Sequence, residues 1–184
     1  MSRGGWVWFP MPGADSRPHA RIMPRLALWG GLGAATLALS TLGTFARTHA
    51  LMINASPSLP YWAIWLERGA APRRGDIVLF DPPASPLLVK HFGEQPQPFG
   101  KRVSGLPGDR IATRDRTFFV NGKAVATAKT HSRLGEPLAL GPTGTVPPGC
   151  YFVTTAHKDG FDSRYAAIGW ICRTRILGTG RPIL

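Results

Sequence analysis

The 184-residue sequence predicts a mainly β protein: an antiparallel sheet domain behind a single N-terminal transmembrane helix. Three observations carry this expectation. Residues 26–45 (LALWGGLGAATLALSTLGTF) hold no charge; the 22 glycines and 18 prolines disfavour a helical bundle; and short runs rich in Ile, Val, Trp and Phe recur between turn residues.

The apolar run comes first. Twenty helical residues at 1.5 Å each reach about 30 Å, the thickness of a bilayer hydrocarbon core. Its glycines would weaken a soluble helix but are tolerated in a membrane. Arg3, Arg17, Arg21 and Arg25 precede it against one acid, Asp15, while Arg47 stands alone behind it. The positive-inside rule then keeps the N-terminus cytoplasmic and exports the rest of the chain. A cleavable leader ending at Thr48-His49-Ala50 is the alternative, but the run is longer than a leader core and His49 suits the cut poorly. A buried core helix would need a polar face, which is missing. The expected organisation is a cytoplasmic segment over 1–23, an anchor over 24–47 and an exported β-rich domain over 48–184.

Within that domain, residues 50–54, 61–66 and 76–80 read as strands, separated by Pro57, Pro60, the Arg73-Arg74-Gly75 turn and Pro82-Pro83. Residues 117–120 and 123–126 flank Asn121-Gly122, whose residue types suit the positive φ angles of a type I′ hairpin turn. Residues 150–155 and 169–177 read as the last two strands, and 127–145 as loop. No periodic amphipathic helix of useful length is expected. Cys150 and Cys172 fall in the last two strands, and whether they pair is left open; two cysteines are too few for a disulfide scaffold and lack zinc spacing.

Lys and Arg outnumber Asp and Glu by 22 to 10, a net charge of +12. That balance admits nucleic acid, an anionic membrane surface or acidic substrates as partners. No Lys/Arg run is interleaved with stacking aromatics, as single-strand binding asks, so nucleic acid is not expected. Metal and cofactor chemistry is not expected either. HExxH, GxSxG and a Walker loop are absent, and histidines 19, 49, 91, 131 and 157 share no metal-ligand spacing.

Three stretches remain that a plain β domain does not need. They are Asn54-Ala55-Ser56-Pro57-Ser58-Leu59-Pro60, then Gly100-Lys101-Arg102-Val103-Ser104-Gly105-Leu106-Pro107-Gly108-Asp109, then Asp159-Gly160-Phe161-Asp162-Ser163-Arg164-Tyr165. With them the chain resembles the type I signal peptidase family, and most closely its conjugal-transfer (TraF-like) branch. The resemblance runs from about Met52 to Leu177 with the motifs in family order; Arg74-Gly75-Asp76-Ile77-Val78-Leu79-Phe80 matches the intervening strand. The most specific match is Lys-Arg-x-x-Gly-x-Pro-Gly-Asp at 101–109.

The resemblance implies a signal-peptidase-like β fold and a Ser–Lys dyad: Ser58 as nucleophile, Lys101 as general base, the Ser56 hydroxyl in the oxyanion hole, and Asp162, Arg164 and Asp109 as support. It further implies an exported preprotein, or a prepilin of a conjugation system, as substrate after small residues, with cleavage or cyclisation as the outcome. The place would be the bacterial inner membrane, single-pass, with the catalytic domain periplasmic and the lipid bilayer as partner. Two departures stand out. One residue separates Ser58 from Pro60 where many members have two, as in the conjugal branch; and Val153-Thr154-Thr155 and Gly160 occupy the neighbourhood in which a Gly-Asp-Asn stretch and then a serine usually precede the aspartate.

The chemistry is sound without histidine. A serine hydroxyl needs a base within about 2.6–3.2 Å. Lysine serves only when neutral, so its ordinary pKa near 10.4 must fall, and burial in a β core lowers it. Each residue also has a plainer role: Ser58 a turn serine, Lys101-Arg102 a solvated pair, 106–109 an ordinary turn, Asp162 and Arg164 a structural salt bridge. Lys90 is the rival base in a similar apolar setting, and Lys158 a weaker one in a polar loop. The competing functions are a basic anchored binding module and a non-catalytic structural subunit of a pilus or secretion apparatus.

Overall fold

The computed structural model describes residues 22–53 and 59–183, with side chains from Ala27 onward. The chain divides into two compact units, one ending at Thr44 and the other starting at Phe45. Helix α1 (Ile22–Thr48) contains one stretch, Ala27–Thr48, long and apolar enough to cross a bilayer, about 33 Å by helical rise. Its threonines are accommodated within the helix. The Thr36, Thr41 and Thr44 hydroxyls donate to the carbonyls of Leu32, Ala38 and Ser40 at 2.8, 2.9 and 2.9 Å. Back-bonding of this kind removes the cost of an unpaired hydroxyl in lipid.

From His49 onward the chain is mainly antiparallel β. The larger sheet contains β1 (His49–Ile53), β2 (Ala63–Glu67), β3 (Ile77–Phe80), β4 (Phe99–Gly105), β9 (Cys150–Thr154), β10 (Ile171–Cys172) and β11 (Ile176–Pro182). Its spatial order is β1-β2-β11-β3-β4-β9-β10, and every pair is antiparallel. The smaller sheet, β7-β6-β5-β8, uses β5 (Arg110–Arg114), β6 (Thr117–Val120), β7 (Lys123–Thr127) and β8 (Gly144–Thr145).

Side-chain alternation explains where the cores lie. On β3 all four residues are buried, but Val78 and Phe80 join one apolar cluster with Val103 and Phe152, whereas Ile77 and Leu79 join another with Leu59 and Ile64. A strand covered on both faces reads as a continuous apolar run. The hairpin is as expected: Asn121 and Gly122 take φ of 49° and 82°, and Val120 pairs with Lys123 across a two-residue turn.

Several elements differ from the sequence expectation. A seven-residue helix, α2 (Pro86–Phe92), opens on Pro86, whose missing N–H costs nothing at a helix start. Residues 169–177 do not form one strand. The chain leaves β10, turns through a 3₁₀ turn at Arg173–Arg175 and re-enters as β11, because β10 pairs with β9 whereas β11 pairs with β2 and β3. The stretch after β7 is mostly loop but makes two isolated bridges, His131 with Pro137 and Leu140 with Tyr165.

Cys150 and Cys172 form a disulfide across facing positions of β9 and β10. With a separation of 22 residues, the cross-link contributes about 3 kcal/mol by restricting the unfolded chain. Replacing both cysteines by serine is therefore expected to lower the urea midpoint of the domain. An unchanged midpoint would show that the bond adds nothing to stability.

Candidate active site

The site is built around one lysine. Strand β4 alternates, with Lys101, Val103 and Gly105 buried and Arg102 exposed, so Lys101 shares its face with the core residue Val103. Opposite it on β3 stands Val78, which is fully buried. The Lys101 side chain is 3% exposed, and its ammonium lies 5.5 Å from the Phe99 ring centre. Burial pushes its pKa down from 10.5 to about 8; the Asp162 carboxylate opposes the shift and the Arg164 guanidinium adds to it.

Asp162 and Arg164 form a closed unit in the interior, 0% and 3% exposed. Arg164 Nε donates to Asp162 Oδ1 and Nη2 to Oδ2, each at 2.8 Å. The remaining guanidinium donors reach the carbonyls of Thr127 (2.8 Å) and Gly160 (3.2 Å). Asp162 also accepts the backbone N–H groups of Thr155 (2.8 Å) and Arg164 (3.1 Å). Burial alone would lower the Arg164 pKa, but the hydrogen bonds and charge of Asp162 raise it, so the guanidinium stays charged. Between these two, Ser163 is also fully buried, its Oγ accepting the Val153 N–H at 3.0 Å.

A cleft of about 520 Å³ opens over Lys101. Its lining includes an apolar wall, made by Met52, Ile53, Leu59, Ile64 and Leu79, and a basic wall, which carries Lys129, His131, Arg133, His157 and Lys158. Ser56 and Ser58 lie outside the described residues. Their described neighbours Ile53 and Leu59 both line the cleft, and Leu59 packs 3.1 Å from the position a Cβ would take on Gly100, next to Lys101.

The other candidates take different positions. Asp109 serves a turn: its carboxylate accepts the Leu106 N–H (2.5 Å), Asn121 Nδ2 (2.7 Å) and Arg74 Nη2 (2.5 Å), none of them on a cleft residue. Although partial burial opposes it, those bonds hold the Asp109 carboxyl below its ordinary range. The 101–109 motif is thus one buried lysine followed by a braced turn. Lys90 is exposed and ion-paired to Glu136 Oε1 at 2.5 Å. Lys158 is an exposed residue of the basic wall.

Two residues gain a place at the site only in the structure. Continuing the β4–β9 register, where Arg102 faces Thr154 and Val103 faces Val153, brings Thr155 opposite Lys101. Thr155 is 5% exposed, and a Cβ built on Gly160 would come 2.2 Å from its Cγ2. The threonine methyl therefore occupies the space a serine at 160 would need; the unexpected glycine was the available signal. Arg116 is the second. Its guanidinium donates to the carbonyls of Ala128, Lys129 and Leu138 and so fastens the stretch that bears the basic wall.

Known proteins identify the family of the chain. A family profile described as "Signal peptidase, peptidase S26" matches residues 26–184. The chain belongs to this family. Among S26 relatives, it is 32% identical over 117 residues to signal peptidase I of Bacillus licheniformis, covering 59% of this chain and 57% of that protein. Against signal peptidase I T of Bacillus subtilis strain 168 the values are 32% over 117 residues, 59% and 55%. Against signal peptidase I V of the same strain they are 37% over 105 residues, 50% and 55%. The chain thus spans somewhat more than half the length of these S26 proteins. A crystal structure of a signal peptidase I from Enterococcus faecalis V583 aligns at TM-score 0.39 and 28% identity, over 60% of this chain and 97% of that one.

Proposed function

We propose that the chain is a membrane-anchored serine endopeptidase that removes leader sequences from exported preproteins by a Ser58–Lys101 dyad. The observation that carries this reading is the buried Lys101 under an open cleft, with its pKa lowered to about 8. A lysine so placed is neutral often enough near neutral pH to take a hydroxyl proton. Ser58 Oγ attacks the scissile carbonyl as Lys101 Nζ accepts its proton. The developing oxyanion is held by the Ser58 N–H and the Ser56 hydroxyl. Lys101 then protonates the leaving amine, and a water molecule, deprotonated by the same lysine, releases the acyl group. Asp162 and Arg164 position the lysine without exchanging a proton.

Membership of the S26 family supports the activity, and the apolar wall suits the small residues expected before the cut. The Cys150–Cys172 disulfide supports an oxidising, exported setting for the domain, in keeping with the arginines that precede the anchor. The location is then the bacterial inner membrane, with a periplasmic catalytic domain. For the substrate, the single residue between Ser58 and Pro60 favours a pilin precursor of a conjugation system, in which aminolysis of the acyl-enzyme could join the chain ends.

The test is co-expression with a candidate prepilin, comparing the substrate's intact mass for wild type and Ser58→Ala. Wild type is expected to shorten the substrate and Ser58→Ala to leave it whole; a product lighter by one further water marks cyclisation. Equal trimming by both proteins would remove Ser58 as nucleophile. Failure of the wild type on several exported precursors would favour a structural subunit.

A further inference from the structure

The basic wall of the cleft has no task in the dyad chemistry. Lys129 Nζ lies 2.5 Å from Asp159 Oδ1, so that carboxylate is already engaged. Asp159 is held below its ordinary carboxyl range first by the Lys129 hydrogen bond, and further by the charges of Lys129, Lys158 and Arg133. All three cations therefore lie close to the same acid, and two positive charges remain unbalanced. The nearby Glu136 does not balance them, because its two oxygens face Lys90 at 2.5 Å and His91 at 3.1 Å. Among the described residues neither Arg133 nor Lys158 is in an ion pair, and both are exposed at the cleft.

These cations line the same cavity as Lys101. An anionic group on the molecule on which Lys101 acts therefore comes within their reach, and in a protein with low-dielectric walls such a cavity concentrates the field. On the peptidase reading that molecule is a polypeptide, whose anionic groups are carboxylates. The apolar wall suits the small residues before the cut, which leaves the basic wall for the departing side. Arg133 supplies a planar fork matched to a carboxylate, and Lys158 a mobile point charge.

We propose that Arg133 and Lys158 determine specificity by binding a carboxylate on the departing side of the scissile bond, from either an acidic side chain or a free C-terminus. This inference rests on the peptidase reading but fails separately from it.

The full chain in detergent would be given four peptides, identical up to the cut. The departing segments are neutral with an amidated end, aspartate-bearing and amidated, neutral with a free carboxylate, and lysine-bearing and amidated. The aspartate or free-end peptide is expected to exceed the neutral amide in kcat/KM by about five- to tenfold, the size of two exposed charge pairs, with the lysine peptide slowest. A gain confined to aspartate assigns the side chain, and a gain confined to the free end assigns the terminus. In Arg133→Glu/Lys158→Glu the ranking inverts; in Arg133→Gln/Lys158→Gln, which covers the case of a misfolded reversal, it flattens. Equal rates for all four, or a ranking that survives both variants, overturns the proposal. If no peptide is cut, the peptidase reading fails, and binding anisotropy with the same peptides still decides: equal Kd values overturn the carboxylate site.

Discussion

Lys101→Met is expected to abolish cleavage, with kcat falling by about a thousandfold or more, and yet to leave the domain more stable near neutral pH. Both effects have one cause. Burial lowers the lysine from 10.5 to about 8, so the unfolded chain binds this proton more tightly than the folded one. Below pH 8 the charged lysine costs the fold its full penalty, about 3 kcal/mol, which shrinks as pH rises and disappears above 10.5. Methionine is of similar length and carries no charge, so its advantage is large at pH 7 and absent at pH 10.5. Urea melts at the two pH values measure it; an equal difference at both would mean that Lys101 is not held against its charge. In the wild type, log kcat/KM is expected to rise with pH and level off near 8. A flat profile between pH 6 and 9 would remove Lys101 as base. Lys90→Met, which removes the exposed rival, should retain cleavage.

Arg164→Met is expected to destabilise the domain by about 3–5 kcal/mol, the usual cost of removing one partner from a buried ion pair. It leaves Asp162 without its paired guanidinium at 0% exposure and frees the carbonyls of Thr127 and Gly160. The fall in urea midpoint reads the stability. A purely structural role stops there, whereas a positioning role also moves the pH profile. With the Arg164 charge gone, the repulsion that lowers Lys101 is lost and the pull of Asp162 is unopposed, so the rising limb of the remaining activity shifts above 8. Arg164→Lys should restore charge balance but not the forked bonds, and so recover the pH profile better than the stability. A rising limb that stays at 8 in Arg164→Met would confine Arg164 to structure.

Features set by neighbouring residues were legible from the chain alone. The Asn121-Gly122 hairpin needs only its two positive φ angles, and β3 shows as an apolar run because both faces are covered. Lys101 stood out through its motif, and its burial follows from its place two residues before Val103 on the same face. What escaped depends on distant partners. The break between β10 and β11 comes from a change of pairing strand, which no local pattern records. The basic wall joins residues 129–133 to 157–158, drawn together by the Leu140–Tyr165 bridge and the reach of Arg164 to Thr127. The disulfide likewise waited on the β9–β10 register.

The seat of Lys101 draws on three stretches: β4 is paired with β3, and the Asp162 and Arg164 charges that act on the lysine are tied to Thr155 and to Thr127 at the end of β7. A copy that has not yet folded carries this lysine in water. At pH 7 about one such lysine in three thousand is neutral, against about one in ten with the pKa at 8. The proposed base is thereby switched on by the folding of its own seat, so an unfolded copy poses little danger to itself or to its neighbours.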